Sequence, residues 1–379
     1  LHDALPIWQG LVKHLEEPSK ATRDLAIGLL ASYPLELGEL LKPYLDSASG
    51  FTARAAGQCL SQNPKRESRD TLHRLLREQV LRLWMFTLLL ESPDAQIAQS
   101  DPLKSAYLAL CLENARERSR KLVFEILAGL ETPKVIRSVE KVLRFANLRA
   151  RADALEVLSN LGDREAAQLL VLLLEHGEMS DKLLQLPTFL RKQAEWSQFC
   201  KHSWLAYDPW LGGAVHWIEP AESWKAPEEE TVERLLVLRK VPLFAQMSLE
   251  QLVAIDERLE EVEYLSGEVV FEEGQLGAEL YILLEGSVKI VKALGSDQEL
   301  LLTRLEGVNY FGEMAILDDE PRSASVLVER NSRLLVLKGE QLKDLVEQMP
   351  EMAFEIIKVL TARIRQADDR LNQMAKNKG

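Results

Sequence analysis

The chain has 379 residues, a formal net charge of −13, and a composition that is 46% hydrophobic and 28% charged. This length exceeds what one hydrophobic core usually supports, so we expect two or three domains of an ordinary globular type. No apolar run reaches the roughly eighteen residues that a membrane span needs, and no basic, apolar leader opens the sequence. We therefore expect no membrane span in this chain and a cytoplasmic location.

The acidic excess is concentrated in the C-terminal part. Residues 226–379 carry 18 Lys and Arg against 30 Asp and Glu, whereas residues 1–225 are nearly balanced at 28 and 29. A nucleic-acid-binding domain normally has the opposite sign, so we expect no nucleic acid partner. The three cysteines lie far apart, which indicates a reducing compartment and neither a disulfide framework nor a metal site.

The first two hundred residues predict helix after helix, because apolar residues recur at helical spacing between Pro, Gly, Asn and Asp. An offset of thirty residues aligns the opening with itself. The aligned pairs are Leu11 and Leu41, Leu15 and Leu45, Thr22 and Thr52, Ala26 and Ala56, Leu30 and Leu60, and Pro34 and Pro64. Helical pairs of this kind stack into a solenoid. The pattern resembles degenerate HEAT repeats over residues 1–202, with a generic helical bundle as the alternative.

Tryptophans cluster where this helical region ends. They are Trp196, Trp204, Trp210, Trp217 and Trp224. Such rings form either a partner-docking surface or the packing that caps the last helices, and capping is the interpretation we favour. We assign residues 203–230 to a capping segment and linker, with a hinge at Ala226–Glu230.

Residues 231–379 change to short β-branched and aromatic runs separated by glycines, which predicts a small β-roll. A capping box from Ser248 to Gln251 predicts a short helix at 249–259 before the roll. The expected strands are 268–271, 279–284, 287–291, 300–303, 325–328 and 333–337. A long helix at about 350–374 follows, with apolar residues in a heptad stripe. The chain is thus expected to be multidomain, with an all-α solenoid followed by an α+β roll with flanking helices.

One segment does not fit a bare β-roll. Gly312 allows the backbone to approach a ligand, and a short helix starting there would offer N–H groups to an anion. Glu313 can accept a hydrogen bond from a sugar hydroxyl, and Arg322 presents a fork that suits phosphate oxygens. Together these side chains indicate a ligand that has both a ribose and a phosphate.

The segment FGEMAILDDEPRSASV resembles the phosphate-binding cassette of cyclic nucleotide-binding domains, the family of the catabolite activator protein and the regulatory subunit of cAMP-dependent protein kinase. The flanking segments LFAQMSLEQL and GEVVFEEGQLGAELYILLEGSVKI occur in the order of that family, and the resemblance covers about 135 residues. It implies that Glu313 holds the ribose 2′-hydroxyl and that Arg322 pairs with the cyclic phosphate. The ligand-binding candidates are Gly312, Glu313, Met314, Ala315, Arg322, Ser323 and Ala324, with Val270, Ile282 and Leu284 as the apolar wall.

The resemblance also bears on the base and on the last helix. The serine directly after the arginine, Ser323, favours cAMP as the ligand and does not exclude cGMP. The last helix covers the base in this family and pairs with its twin, so a homodimer through it is one hypothesis and packing on its own roll is the other. The candidates for lid or dimer contact are Ile357, Leu360, Arg363 and Ile364.

No arrangement typical of a hydrolase, a P-loop protein or a kinase occurs, so we expect a protein that is not an enzyme and has no cofactor beyond its nucleotide ligand. We interpret the chain as a cyclic nucleotide sensor that regulates a helical scaffold, which in turn binds an unidentified protein partner. Its domain order also resembles the cytoplasmic C-terminal region of some large bacterial membrane proteins related to nucleotide transporters. The alternative is a scaffold whose β-roll is a ligand-free interaction module.

Overall fold

A computed structural model describes residues 10–16, 20–32, 37–45, 47, 49–63, 66–91, 97, 99–145, 147–220, 226–318, 320–350, 352–354, 356–361 and 365. The chain divides into two compact units, Leu1–Pro227 and Glu228–Gly379. The boundary falls within the segment 203–230 that the sequence assigned to a cap and linker. Each unit is described by itself.

The first unit is largely helical. Its helices are α1 Lys20–Ser32, α2 Leu37–Leu45, α3 Gly50–Gln62, α4 Arg66–Glu91, α5 Pro102–Leu130, α6 Pro133–Phe145, α7 Leu148–Ser159, α8 Arg164–Leu174, α9 Met179–Gln185, α10 Thr188–Ala194, α11 Trp196–Phe199 and α12 Pro209–Ile218. Short 3-10 turns span His14–Glu16 and Ser203–Tyr207. Asp101, Asn147, Asp163 and Asp208 cap α5, α7, α8 and α12 by accepting from first-turn amides, which explains where these helices begin.

The thirty-residue offset has a structural counterpart. α1 and α3 have equal length and begin thirty residues apart, and they pack against each other. The aligned apolar residues Ala26 and Ala56, and Leu30 and Leu60, are buried in both helices. Repeated burial at repeated positions is what stacked helical pairs require. The assignment to a HEAT-like solenoid stays a prediction.

The tryptophan-rich segment packs on α5. Asp208 accepts from the amide of Leu211 at 3.0 Å and forms an ion pair with Arg118 of α5. At the other end of α12, Lys104 of α5 donates to the carbonyl oxygen of Trp217 at 3.1 Å, and the buried Trp217 ring meets Tyr107 edge-on at 6.1 Å. Both ends of α12 thereby contact one long helix, α5, and the assignment of this segment to a cap stays a prediction.

The second unit combines helices with one antiparallel sheet. The helices are α13 Glu229–Lys240, α14 Leu249–Asp256, α15 Glu313–Asp318 and α16 Gly339–Gln348, and the strands are β1 Glu260–Tyr264, β2 Val269–Phe271, β3 Glu279–Lys292, β4 Leu300–Glu306, β5 Asn309–Phe311 and β6 Ser325–Lys338. The capping box between Ser248 and Gln251 is confirmed. Residues 352–354 and 356–361 are also helical.

The sheet order is β1-β6-β3-β4, with β2 pairing to β6 and β5 to β3. The separate strands expected at 279–284 and 287–291 are one strand, β3, and those expected at 325–328 and 333–337 are also one, β6. Gly286, read from the sequence as a turn, instead marks register shifts at which β3 continues against β6. A Cβ there would collide with Asn331 and Ser332. The acid-rich β1 and the short β5 lack the expected alternation and were not anticipated.

The core of the roll lies on the inner face of the sheet. It is formed by Phe271, Tyr281, Leu283, Val288, Phe311, Val326, Val328, Leu334 and Val336. Because side chains alternate along a strand, Tyr281 and Leu283 share this inner face of β3. Among the residues that the structure describes, no helix is long and apolar enough to cross a membrane.

Candidate functional site

Arg322 is the most enclosed charged group of the predicted cassette. Its side chain is only 2% exposed. Nη2 donates to Glu279 Oε2 at 2.7 Å, while Nη1 donates to the carbonyl oxygens of Glu279 at 2.9 Å and Gly312 at 3.1 Å. Nε is buried and has no hydrogen-bond partner. Among the described residues, the cation therefore faces one carboxylate and retains one unsatisfied donor.

The backbone of Arg322 is also held firmly. Its amide donates to the carbonyl oxygen of Gln275 at 2.9 Å, and the amide of Gly274 donates to its carbonyl oxygen at 2.8 Å. This pair of bonds ties the end of the cassette to the turn before β3. The guanidinium position is consequently set by backbone contacts as well as by its ion pair.

Two glycines make room for the guanidinium. A Cβ at Gly312 would lie 2.7 Å from Arg322 Nη1 and 2.8 Å from the carbonyl oxygen of Glu279, and a Cβ at Gly277 would lie 3.2 Å from Arg322 Nη2. Gly312 also has a φ of 84°, a conformation that other residues rarely adopt. The sequence predicted that the backbone at Gly312 approaches a ligand, which stays a prediction, and the group that approaches Gly312 in the structure is the Arg322 side chain.

Aromatic rings lie beneath the arginine. The guanidinium carbon is 4.1 Å from the Phe271 ring centroid and 5.8 Å from that of Tyr281. Tyr281 and Phe311 stack with ring centroids 5.3 Å apart. Burial raises the pKa of Tyr281 to about 12, so its hydroxyl stays neutral at physiological pH. The rings add cation–π attraction to a cation that is largely shielded from water.

Glu313 begins the short helix α15 directly after Gly312. Its side chain is half-buried, and burial raises the pKa of its carboxyl group above the ordinary value. A carboxylate kept partly away from water gains from a hydrogen-bond donor such as a hydroxyl group. This arrangement is compatible with the ribose contact that the resemblance implies.

The other residues of the predicted cassette differ in their exposure to solvent. Ser323 and Met314 are exposed, and Ala324 is buried. The backbone of Ala315 lies within α15, whereas its side chain lies outside the described residues. The structure thus joins Gly312 and Arg322 by a direct hydrogen bond and leaves Ser323 open to solvent.

The predicted apolar wall needs correction. Val270 packs against the inner cluster, but Ile282 lies between Tyr281 and Leu283 and therefore belongs to the opposite face of β3. Leu284 lies at a register shift of β3, and its place in the wall stays a prediction. The apolar wall was predicted from hydrophobicity alone. Hydrophobicity does not show which face of a strand points inward when both faces are covered. The inner face instead gains Ile290 and Leu305, which flank the cluster.

The terminal helix is described only in part. Met352 and Ile356 are buried, whereas Ile357 is 55% exposed and Leu360 is half-buried. Ile357, predicted as a lid or dimer contact, is therefore not covered. Arg363 and Ile364 lie outside the described residues.

Sequence reasoning missed Glu279, Gly277 and Phe271 as neighbours of Arg322. Glu279 stands at the first position of β3, where an acidic residue ordinarily faces solvent. Its pairing to a residue 43 positions later depends on how β3 and the cassette meet. The small Gly277 just before the strand was the available signal of a crowded site.

Residues 261–349 match the family model described as the cyclic nucleotide-binding domain. The second unit contains a cyclic nucleotide-binding domain. Its matched residues include the whole cassette and all six strands except the first residue of β1.

The curated relatives include a transcriptional regulator, a cyclic AMP receptor protein and a protein kinase. The chain is 29% identical over 135 residues to the CRP-like cAMP-activated global transcriptional regulator of Mycobacterium tuberculosis, covering 36% of this chain and 60% of the relative. It is 33% identical over 112 residues to the cyclic AMP receptor protein of Thermus thermophilus, covering 30% and 52%. It is 33% identical over 117 residues to human cGMP-dependent protein kinase 2, covering 30% and 15%. The matches therefore leave a large part of each relative uncovered.

Among solved structures, the N-terminal domain of a transcriptional regulator from Streptomyces coelicolor is similar, with 30% identity and a TM-score of 0.33. The match covers 36% of this chain and 94% of that domain. The curated relatives indicate that the cyclic nucleotide-binding domain of this chain is of a regulatory type.

Proposed function

We propose that the second unit is a cyclic nucleotide sensor that prefers cAMP to cGMP and regulates the helical first unit, which acts as a scaffold for a protein partner. The protein is proposed to lack enzymatic activity and to act in the cytoplasm or at the cytoplasmic face of a membrane. Support comes from the cyclic nucleotide-binding domain, from the retained Glu313 and Arg322, and from Ser323 directly after the arginine.

The observation that carries the proposal is the incomplete hydrogen bonding of the buried Arg322 guanidinium. Its Nε is buried without a partner, and a buried unsatisfied donor costs about 1–3 kcal/mol. A cyclic phosphate oxygen would satisfy this donor and pair its negative charge with the guanidinium. The energetic gain is therefore specific to an anion that reaches the guanidinium.

Binding of a cyclic nucleotide would require the Glu279 side chain to move away from Arg322. Its side chain is 38% exposed, so it can rotate into water while the guanidinium stays enclosed. The phosphate would then replace a protein carboxylate, and the side-chain link between Glu279 and the cassette would be lost while the bond from Arg322 Nη1 to the Glu279 carbonyl oxygen remains. This exchange is a local change of the kind that shifts a protein between two conformations.

A thermal-shift titration of the full chain with cAMP, cGMP and 5′-AMP tests the proposal. Ligand should stabilise the second unit by about 2.7 kcal/mol at a hundredfold excess over Kd, with cAMP effective at the lowest concentration. The variant Arg322→Lys should lose this gain, because lysine keeps the charge but lacks the fork. The exposed Arg304→Ala serves as the matched control and should respond as the wild type does.

A ligand-free interaction module is the second candidate function, and the Glu279–Arg322 ion pair favours it. A site that no longer binds a nucleotide would be expected to contain a carboxylate that neutralises the arginine. In that case no cyclic nucleotide would shift the unfolding temperature of the wild type or of Glu279→Gln. Consumption of the nucleotide during the titration would contradict both candidates and indicate an enzyme.

A further inference from the structure

A polar cavity lies inside the first unit, where α4 and α5 meet the residue that begins α12. Its volume is about 30 Å³, whereas a site for one water molecule needs at least about 10–15 Å³. The space therefore admits one or two species of the size of water. The polar side chains that line it and carry the argument are Gln79 and Arg82 of α4, Arg118 and Ser119 of α5, and Asp208.

Helical spacing explains why these side chains meet. Gln79 and Arg82 are three residues apart and share one side of α4, which packs against α5. On α5, the buried Ala115 lies one turn before Ser119 and also lines the cavity. Its small side chain leaves room that a larger residue would fill, so the two helices enclose a space between polar groups.

Gln79 is almost completely enclosed, since only 2% of the residue is exposed. Ser119 Oγ donates to Gln79 Oε1 at 2.9 Å, which directs the amide oxygen towards α5. Among the described residues, the Gln79 side chain has no other hydrogen bond, so both of its N–H donors remain for a molecule in the cavity. Because a buried donor without an acceptor is unfavourable, an occupant that accepts hydrogen bonds would stabilise this place.

The charges around the cavity favour a negatively charged occupant. Arg82 and Arg118 supply two positive charges, and Asp208 supplies the one carboxylate among the lining residues. That carboxylate already pairs with Arg118 and accepts from the amide of Leu211 at 3.0 Å. A water molecule would bring two hydrogens that need acceptors of their own. A small anion accepts from every donor and brings none.

We propose that this cavity binds a small monovalent anion of the size of chloride. The anion would accept from the Gln79 amide nitrogen and pair with the positive charge of Arg82 and Arg118. It would thereby join α4 to α5 at the point where Asp208 begins α12, so that the stability of the first unit depends on the chloride concentration. The inference does not rest on the cyclic nucleotide site, which lies in the second unit.

Urea unfolding of the full chain in sodium chloride and in sodium gluconate at equal ionic strength tests the proposal. All seven tryptophans lie in the first unit, so their fluorescence reports its unfolding. Stability of the wild type should rise with chloride relative to gluconate. Above the Kd for chloride, each tenfold increase should favour the folded first unit by up to about tenfold.

Gln79→Glu is the decisive variant. It keeps the size of the side chain and an oxygen for Ser119, but it replaces the amide donors by a carboxylate, which should abolish the chloride effect. Gln168→Glu, at an exposed position of α8, is the matched control and should respond to chloride as the wild type does. Equal stability of the wild type in chloride and gluconate would overturn the proposal. So would a Gln79→Glu protein with the wild-type response.

A direct measurement covers the case in which Gln79→Glu does not fold. Bromide replaces chloride in such sites and scatters anomalously, so crystals of the wild-type chain soaked in sodium bromide should show an anomalous difference peak beside Gln79 Nε2. Peaks confined to other places, or none, would contradict the site.

Discussion

Glu279 Oε2 lies 2.7 Å from Arg322 Nη2, so the guanidinium proposed to bind phosphate already pairs with a carboxylate of its own domain. The same arginine donates to the carbonyl oxygens of Glu279 and Gly312. An incoming phosphate therefore competes with one anion and leaves two neutral acceptors in place. The competing residue is fixed at the start of β3, which connects ligand entry to the sheet.

Replacement of Glu279 by Gln should tighten cyclic nucleotide binding, because the phosphate no longer displaces a carboxylate. We expect Kd to fall roughly tenfold, the size of a partly exposed charge interaction. Calorimetric titration measures the change. Glu285→Gln, at an exposed position of the same strand, should leave Kd unaltered. Weaker binding in Glu279→Gln would instead show that Glu279 orients the arginine for its ligand.

Glu279 and Arg322 should also be coupled in the absence of ligand. Arg322→Ala leaves the Glu279 carboxylate unpaired and removes the guanidinium from the Phe271 ring, with an expected cost of about 1–3 kcal/mol. Arg322→Ala combined with Glu279→Ala should cost less than the sum of the single changes. Denaturant unfolding of the four proteins gives the coupling energy. If the stability losses of the two single variants added up to that of the double variant, the ion pair would contribute nothing to stability.

Gly312→Ala should damage both stability and binding. The new Cβ would lie 2.7 Å from Arg322 Nη1 at a φ of 84°, so the arginine must shift in addition to the backbone strain. Gly307→Ala is the control, since Gly307 has a φ of 62° and open space around it. We expect about 1 kcal/mol for Gly307→Ala and a larger loss, together with weaker ligand binding, for Gly312→Ala. Equal losses in stability would exclude a role for the contact with Arg322.

Because of Glu313, we expect the stability of the second unit to depend on pH. Burial raises the pKa of its carboxyl group, so the folded protein keeps this proton to a higher pH than the unfolded chain does. Its favourable contribution is complete below the unfolded value of about 4.3 and is lost as the pH rises through the folded pKa. Glu313→Gln should therefore raise the melting temperature of the ligand-free second unit at pH 7 while weakening nucleotide binding.

The difference between Glu313→Gln and the wild type should shrink as the pH falls below about 4, where both side chains are neutral. The exposed Glu347→Gln controls for a general effect of removing charge from an acidic unit. A Glu313→Gln protein that is less stable than the wild type at pH 7 would show that the carboxylate is compensated within the fold.

The ion pair between Arg118 and Asp208 should be essential to the first unit. Both side chains are largely buried, and removing the arginine leaves the carboxylate that caps α12 without its cation. Arg118→Ala should reduce the free energy of unfolding by about 3–5 kcal/mol. Lys121→Ala removes an exposed pair at 3.8 Å to Glu117 and should cost less than about 1 kcal/mol. Chemical denaturation followed by tryptophan fluorescence compares the two.

Much of the second unit could be read from its sequence, because the decisive signals are local. The capping box of α14, the glycine before Glu313 and the spacing to Arg322 each depend on a few neighbouring residues. The cassette motif therefore identified the domain that the family match also finds. The helical first unit was similarly evident, since the thirty-residue offset recurs in α1 and α3.

Tertiary structure decided what these residues contact. Gly286 is a bend in a continuous strand rather than a turn, because β6 follows β3 through it. Ile282 belongs to the outer face, and alternation along the strand could not show this before one face was known to point inward. The pairing of Glu279 with Arg322 bridges 43 residues. Local composition carries no information about such a contact, since it depends on how distant segments pack.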